Sequence, residues 1–119
     1  MLDEIYEVSF QIIMHGGDAR SKALEAIRAS DRYEFEKAEA LIKEAKESLK
    51  KAHEAQTGLI QKEAAGDRQE VNIILIHSQD HFSMAMTSID LSEQVLRLNR
   101  KIQALELRES QRNALEEQS

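Results

Sequence analysis

The sequence predicts an all-α chain, an antiparallel bundle of three long helices, and three observations carry that expectation. Proline is absent and glycine occurs only at 16, 17, 58 and 66, too little punctuation for a sheet-rich or loop-rich fold. Charged residues make up 32% and hydrophobic residues 41% of a 119-residue, one-domain chain, with Ala, Leu, Glu, Lys and Gln prominent, as in long helices. Apolar residues recur at alternating steps of three and four, which lays a seam along one side of a helix.

The first helix is expected from about residue 2 to 29, with Ile5, Val8, Ile12, Ala19, Ala23 and Ala26 inward. Gly16 and Gly17 allow a close helix approach or a slight bend, and Asp18 is expected to pair locally with Arg20. A second helix, from about 32 to 65, carries Phe35, Ala38, Ile42, Ala45, Leu49, Ala52, Gln56 and Leu59 in unbroken 3-4 steps. Asp31 with Glu34 resembles a capping box, Ser30 competes as the cap, and Gly66 suits the left-handed residue that closes the helix. Glu39 with Lys43 and Glu47 with Lys51 are i,i+4 pairs on the outer face.

The third helix, from about 71 to 107, shows His77, His81, Met84, Ser88, Leu91, Val95, Leu98, Ile102 and Leu105 on its main stripe. Ile73, Ile76, Met86, Ile89 and Leu96 lie off that stripe. A helix apolar on more than one side needs more than two neighbours, so subunits are expected to associate through it. Residues 1–107 therefore form the domain. Residues 108–119 lose the pattern and are expected to fray.

Composition excludes several functions. A formal charge of −6 argues against nucleic acid or an anionic membrane surface as the main partner, and two Tyr, three Phe and no Trp offer little for stacking on bases. With no cysteine there is no disulfide, thiolate metal site or thiol chemistry. No apolar run approaches the roughly 18 residues of a membrane span, and no leader opens the chain, so a cytoplasmic location is expected.

The chemistry concentrates where an apolar run, Ile73-Ile74-Leu75-Ile76, meets His77-Ser78-Gln79-Asp80-His81. His77 and His81 lie one turn apart, with Asp80 on the neighbouring face. Such a cluster suits three chemistries. Two imidazoles one turn apart can share a metal ion, and H-x-x-D-H is near the pattern of inverted zinc peptidases, which would make a His/Asp hydrolase. A histidine near neutral pKa can serve as a general acid or base. An imidazole nitrogen can also accept a phosphoryl group and hand it on. A purely structural bundle, whose histidines only pack, is the alternative to all three.

Three further strings bear on the choice: Gly17-Asp18-Ala19-Arg20-Ser21, Ala52-His53-Glu54-Ala55-Gln56-Thr57 and His77-Ser78-Gln79-Asp80-His81. Together, in this order and at these separations, they resemble the lactose/cellobiose-type IIA component of the bacterial phosphoenolpyruvate-dependent sugar phosphotransferase system, over roughly residues 3–103. The resemblance implies a homotrimer of three-helix subunits, a nine-helix assembly. It implies that His77 takes a phosphoryl group from the histidine phosphocarrier protein and passes it to a cysteine of the IIB component. The protein would thus be a phosphotransferase component in uptake of a lactose-, cellobiose- or chitobiose-type sugar, with no turnover of a small molecule on its own. By the same likeness Asp80 would face the threefold axis and bind one Mg²⁺ per trimer.

The residues agree with that picture. Three carboxylates on one axis repel, each pair at about 4 Å by roughly 4 kcal/mol at an effective dielectric of 20, and a hard cation would offset this. His81 either donates a hydrogen bond to the transferring phosphoryl group or packs. Gln56 is either a register device or a polar wall of the groove. His53 is expected to be structural and His15 an ordinary surface residue. Ser78 stands where the family more often has Ala or Gly.

Overall fold

The computed structural model describes residues 2–119, with side chains from residue 3. Three helices follow one another, α1 (Leu2–Asp31), α2 (Phe35–Ala64) and α3 (Ile73–Gln118). They form a rod of 77 × 20 × 20 Å. Lys62 near the end of α2 lies 3.7 Å from Glu4 at the start of α1, so those two helices are antiparallel. Between α2 and α3, Lys46 meets Glu93 at 3.0 Å and Arg100 meets Glu39, in opposite chain order, so α3 turns back again. Glu39 is thus committed across the bundle to Arg100 rather than to Lys43 on its own helix.

Both turns are built from helix-stop chemistry, but only the second as expected. Asp31 is the last residue of α1, and Glu34 precedes α2 without a side-chain cap, so the capping box does not form. Instead Tyr33 takes the left-handed conformation at φ 62°. Its amide donates to the Ser30 carbonyl at 3.0 Å and that of Glu34 to Ala29 at 2.9 Å, the paired bonds of a Schellman stop. A tyrosine is strained there; its hydroxyl donates to the Glu106 carboxylate of α3 at 2.7 Å, which anchors the turn. Ser30 is no cap either: it is buried, donates to the Ile27 carbonyl and accepts from Asn99 of α3 at 2.9 Å. At the end of α2, Gly66 sits at φ 93°, with its own amide on Glu63 and that of Asp67 on Lys62, as the sequence predicts.

The α1 and α2 seams match expectation. Ile5, Ile12, Ala19, Ala23 and Ala26 are buried from α1, and Ala38, Ile42, Ala45, Ala52 and Leu59 from α2. The α3 seam does not. Its buried residues are Ser78, Phe82, Ala85, Ile89, Ser92 and Leu96, a stripe one residue later than the expected one and so rotated by about 100°. Leu91, Leu98, Ile102 and Leu105 of the expected stripe are 55%, 49%, 45% and 61% exposed. The reason is steric. Ser78, Ala85 and Ser92 are small enough to meet the alanines of α1, which bring the helices together more closely than Leu91 or Leu98 would allow.

The expected fraying from 108 is also not what forms: α3 continues unbroken to Gln118, with every residue from 104 onward exposed. Glu, Arg, Gln, Ala and Leu favour helix locally even where no neighbour covers them. Asp18 pairs with Lys22 at 3.0 Å rather than with Arg20, because residues two apart point to different sides of a helix. Asp18 also accepts a hydrogen bond from Ser48 of α2.

Two outcomes follow. Gly66→Ala should cost about 1 kcal/mol in urea unfolding at fixed protein concentration, since an L side chain is strained at that φ. The Ser48 hydroxyl, then the Lys22 ammonium, hold the Asp18 carboxyl below its ordinary 3.8. A lowered folded value stabilises fully above pH 3.8 and loses its benefit as pH falls through it. Asp18→Asn should therefore lower the melting temperature slightly at pH 7, and the gap from the parent should narrow as the pH falls below 3.8.

Candidate functional site

The polar cluster sits in the second and third turns of α3. Asn72 starts the helix: its side-chain oxygen accepts from the Leu75 amide at 2.8 Å, satisfying one of the free amides of the first turn. One turn later Ser78 is fully buried and donates to the Leu75 carbonyl at 2.6 Å. A hydroxyl can enter this tight seam only by bonding back to its own helix, which accounts for the serine. With Ser78 inward, the residue before it must turn outward. His77 is accordingly exposed.

His81 lies one turn further, half-buried. Its Nε2 is 3.0 Å from the Nε2 of His77, and the rings stand perpendicular, 89° apart with centres at 4.4 Å. The Nδ1 of His81 is buried without a hydrogen-bond partner. Beside it α1 runs close: a Cβ added at Gly16 would stand 3.4 Å from the His81 carbonyl oxygen, so the backbone of α1 rests almost directly on that of α3. The expected close approach at Gly16 is therefore present, and its contact is the site itself.

Asp80 is exposed. On the helix it shares a side with Ile73, His77, Met84, Leu91 and Leu98, so both candidate residues stand in the apolar stripe that one subunit leaves uncovered. Among the described residues no three His, Asp or Glu side chains gather to hold a metal ion. The H-x-x-D-H spacing thus brings the two imidazoles together but assembles no zinc site, and the hydrolase alternative has no centre within a subunit. The expected Mg²⁺ calls on Asp80 of three copies, a set that no single subunit holds.

Gln56 goes elsewhere. Its amide donates to the Gln79 side chain of α3, whose own amide donates to Ser78 at 3.3 Å. Gln79 is two residues from His77 and hence on nearly the opposite side of α3. Gln56 does border a groove, of about 210 Å³ with Leu59, Ile60, Val71, Leu75 and Gln79, but not one that contains His77. His53 stacks on Phe82 at 5.9 Å, a structural contact as expected. Sequence reasoning missed the Gln56–Gln79 bridge, although both residues stood in the quoted strings. Nothing in the spacing of two helices reveals which polar pairs meet across them.

Known proteins resemble this chain in sequence and in fold. Residues 7–100 match the family model described as the phosphotransferase system lactose/cellobiose-specific IIA subunit. The lichenan-specific phosphotransferase enzyme IIA component of Bacillus subtilis is 43% identical over 102 residues, 86% of this chain and 93% of that protein. A crystal structure of the cellobiose-specific enzyme IIA from Bacillus anthracis superposes with a TM-score of 0.81 at 38% identity, covering 82% of this chain and 90% of that one. The chitobiose IIA–HPr complex of the Escherichia coli phosphotransferase system, a solution structure, gives 0.72 at 29% identity over 83% and 96% of the two chains. With the three helices, their order and the histidine pair in place, the chain belongs to the lactose/cellobiose-specific IIA subunits of the sugar phosphotransferase system.

Proposed function

We propose that this IIA subunit is a cytoplasmic phosphocarrier. Its His77 accepts a phosphoryl group from HPr, the histidine phosphocarrier protein, and delivers it to a cysteine of a IIB component during uptake of a lactose-, cellobiose- or chitobiose-type sugar. The observation that carries this is the exposed imidazole of His77, held against His81 at 3.0 Å on an apolar stripe. The solved chitobiose IIA–HPr complex, whose IIA chain resembles this one, supports HPr as the donor.

The chemistry is an exchange of one bond for another. A lone pair on His77 attacks phosphorus, the P–N bond to the donor histidine breaks, and that nitrogen keeps the electron pair. In the second step a cysteine thiolate attacks, the P–N bond to His77 breaks, and the imidazole leaves neutral. Catalysis rests on placing the two nucleophiles in line and on meeting the charge of the equatorial oxygens. His81 is the nearest side-chain donor, and the positive end of the α3 dipole lies within two turns.

The stripe of Ile73, Met84, Leu91, Val95, Leu98, Ile102 and Leu105 is the surface through which copies associate in this proposal, as a homotrimer of nine helices. Burying it removes water from side chains worth up to about 1.5–3 kcal/mol each on full burial. Asp80 from each copy would then meet at the axis. One subunit's donors fit no cation, but three carboxylates form an oxygen-only set of the kind that suits Mg²⁺. The ion, when bound, would neutralise their repulsion; it takes no part in the transfer.

With HPr, its upstream kinase and labelled phosphoenolpyruvate, the parent protein should take up phosphate and His77→Ala should take up none. Labelling of that variant would refute the assignment and leave a bundle whose histidines merely pack. Light scattering should give roughly three times the 13.6 kDa of one chain, and a value near one chain would refute the trimer. Asp80→Leu should abolish Mg²⁺ binding in metal analysis yet keep or tighten the assembly, since clustered charge is replaced by apolar contact.

A further inference from the structure

We infer that His81 is a positioning residue that sets the protonation form of His77 before transfer begins. The inference deepens the phosphocarrier proposal and rests on it. It starts from the one buried ring nitrogen of the pair, which has no hydrogen-bond partner.

His81 Nδ1 is buried and unpartnered. A proton on that nitrogen would be an orphaned buried N–H, which native structures avoid more strictly than an unused acceptor. The single proton of the neutral His81 ring therefore resides on Nε2. Nε2 faces His77 Nε2 at 3.0 Å. Between two ring nitrogens one must donate and the other accept. Since His81 Nε2–H donates, His77 Nε2 accepts with its lone pair, and His77 carries its own proton on Nδ1.

Two features hold this arrangement. The i,i+4 spacing stacks the side chains along one side of α3, and the backbone of α1 at Gly16 packs on the His81 carbonyl at what would be 3.4 Å from a Cβ. Free histidine prefers its proton on Nε2, so without His81 most neutral His77 rings would present the wrong nitrogen. With His81 in place, the electron pair of His77 Nε2 forms the bond to phosphorus and Nδ1 keeps its proton. The donor nitrogen recovers the pair from the broken bond. As phosphorus approaches, His81 Nε2–H turns from the ring nitrogen to a phosphoryl oxygen and so releases that electron pair, and the same donor serves both states. A merely packing histidine would do neither.

The test is ¹⁵N–¹H correlation of the imidazole nitrogens in the full-length protein at a pH where both rings are neutral. In the parent, His77 should show a protonated Nδ1 and a bare Nε2, and His81 the reverse. In His81→Phe, His77 should revert to protonated Nε2, and transfer from HPr should slow by roughly ten- to a hundredfold, the size of a lost hydrogen bond to a charged group. His81→Gln, which keeps an amide donor, should restore much of both. A parent protein with His77 protonated on Nε2 overturns the inference without any variant, so poor folding of His81→Phe cannot shield it. So does a His81→Phe protein that transfers slowly while the His77 signals stay unchanged. Either result stands apart from failure of the phosphocarrier proposal, which would appear as absence of label on His77 whatever its protonation form.

Discussion

The close packing of α1 on α3 is the constraint from which the rest of the molecule follows. Gly16, Ala19, Ala23, Ala26 and Ala29 of α1 let α3 approach closely, and α3 turns toward them the stripe in which small Ser78, Ala85 and Ser92 alternate with Phe82, Ile89 and Leu96. That choice fixes the rotation of α3 about its own axis. Once Ser78 is inward, His77 is outward, Asp80 is outward, and Leu91, Leu98, Ile102 and Leu105 further along face water.

Such a seam holds helices near one another but buries little apolar area. The large side chains fully committed within the subunit are few, notably Ile12, Ile42, Leu59, Phe82, Ile89 and Leu96. Polar ties supplement them: Ser48 to Asp18, Asn99 to Ser30 and Gln56 to Gln79 each join two helices, and Tyr33 to Glu106 ties the first turn to α3. Hydrogen bonds of this kind contribute about 1 kcal/mol apiece at best, so they align helices more than they stabilise them. The imbalance, a lean interior against a long uncovered apolar stripe, is what the proposed association would relieve.

The same geometry gives the two histidines unequal surroundings although they belong to one helix and one motif. A step of four residues turns the helix by about 40° beyond a full circle, enough to move His81 toward α1 while His77 stays clear of it. One ring is therefore free to meet a partner protein and the other is held. The proposed carrier role would use both conditions, because the accepting nitrogen must be reachable and its orientation must not be random.

Much of this was legible in the residues. Their 3-4 steps, the absence of proline and the placement of Gly66 determined three helices and where the second must stop, since these depend on local sterics and periodicity alone. The inward faces of α1 and α2 were equally plain, because each has a single apolar side. The pairing of His77 with His81 follows from i,i+4 spacing and needs no tertiary information. Tertiary structure decided everything that required knowing what stood opposite. On α3, with apolar residues on two sides, periodicity favoured the stripe of larger residues, and only the narrow space beside α1 selected the smaller one. Asp18 chose Lys22 and Ser48, Glu39 chose Arg100, and Tyr33 rather than Asp31 shaped the first turn. A one-dimensional pattern records which residues a helix can bury; which of them it does bury is set by the size of the gap its neighbours leave.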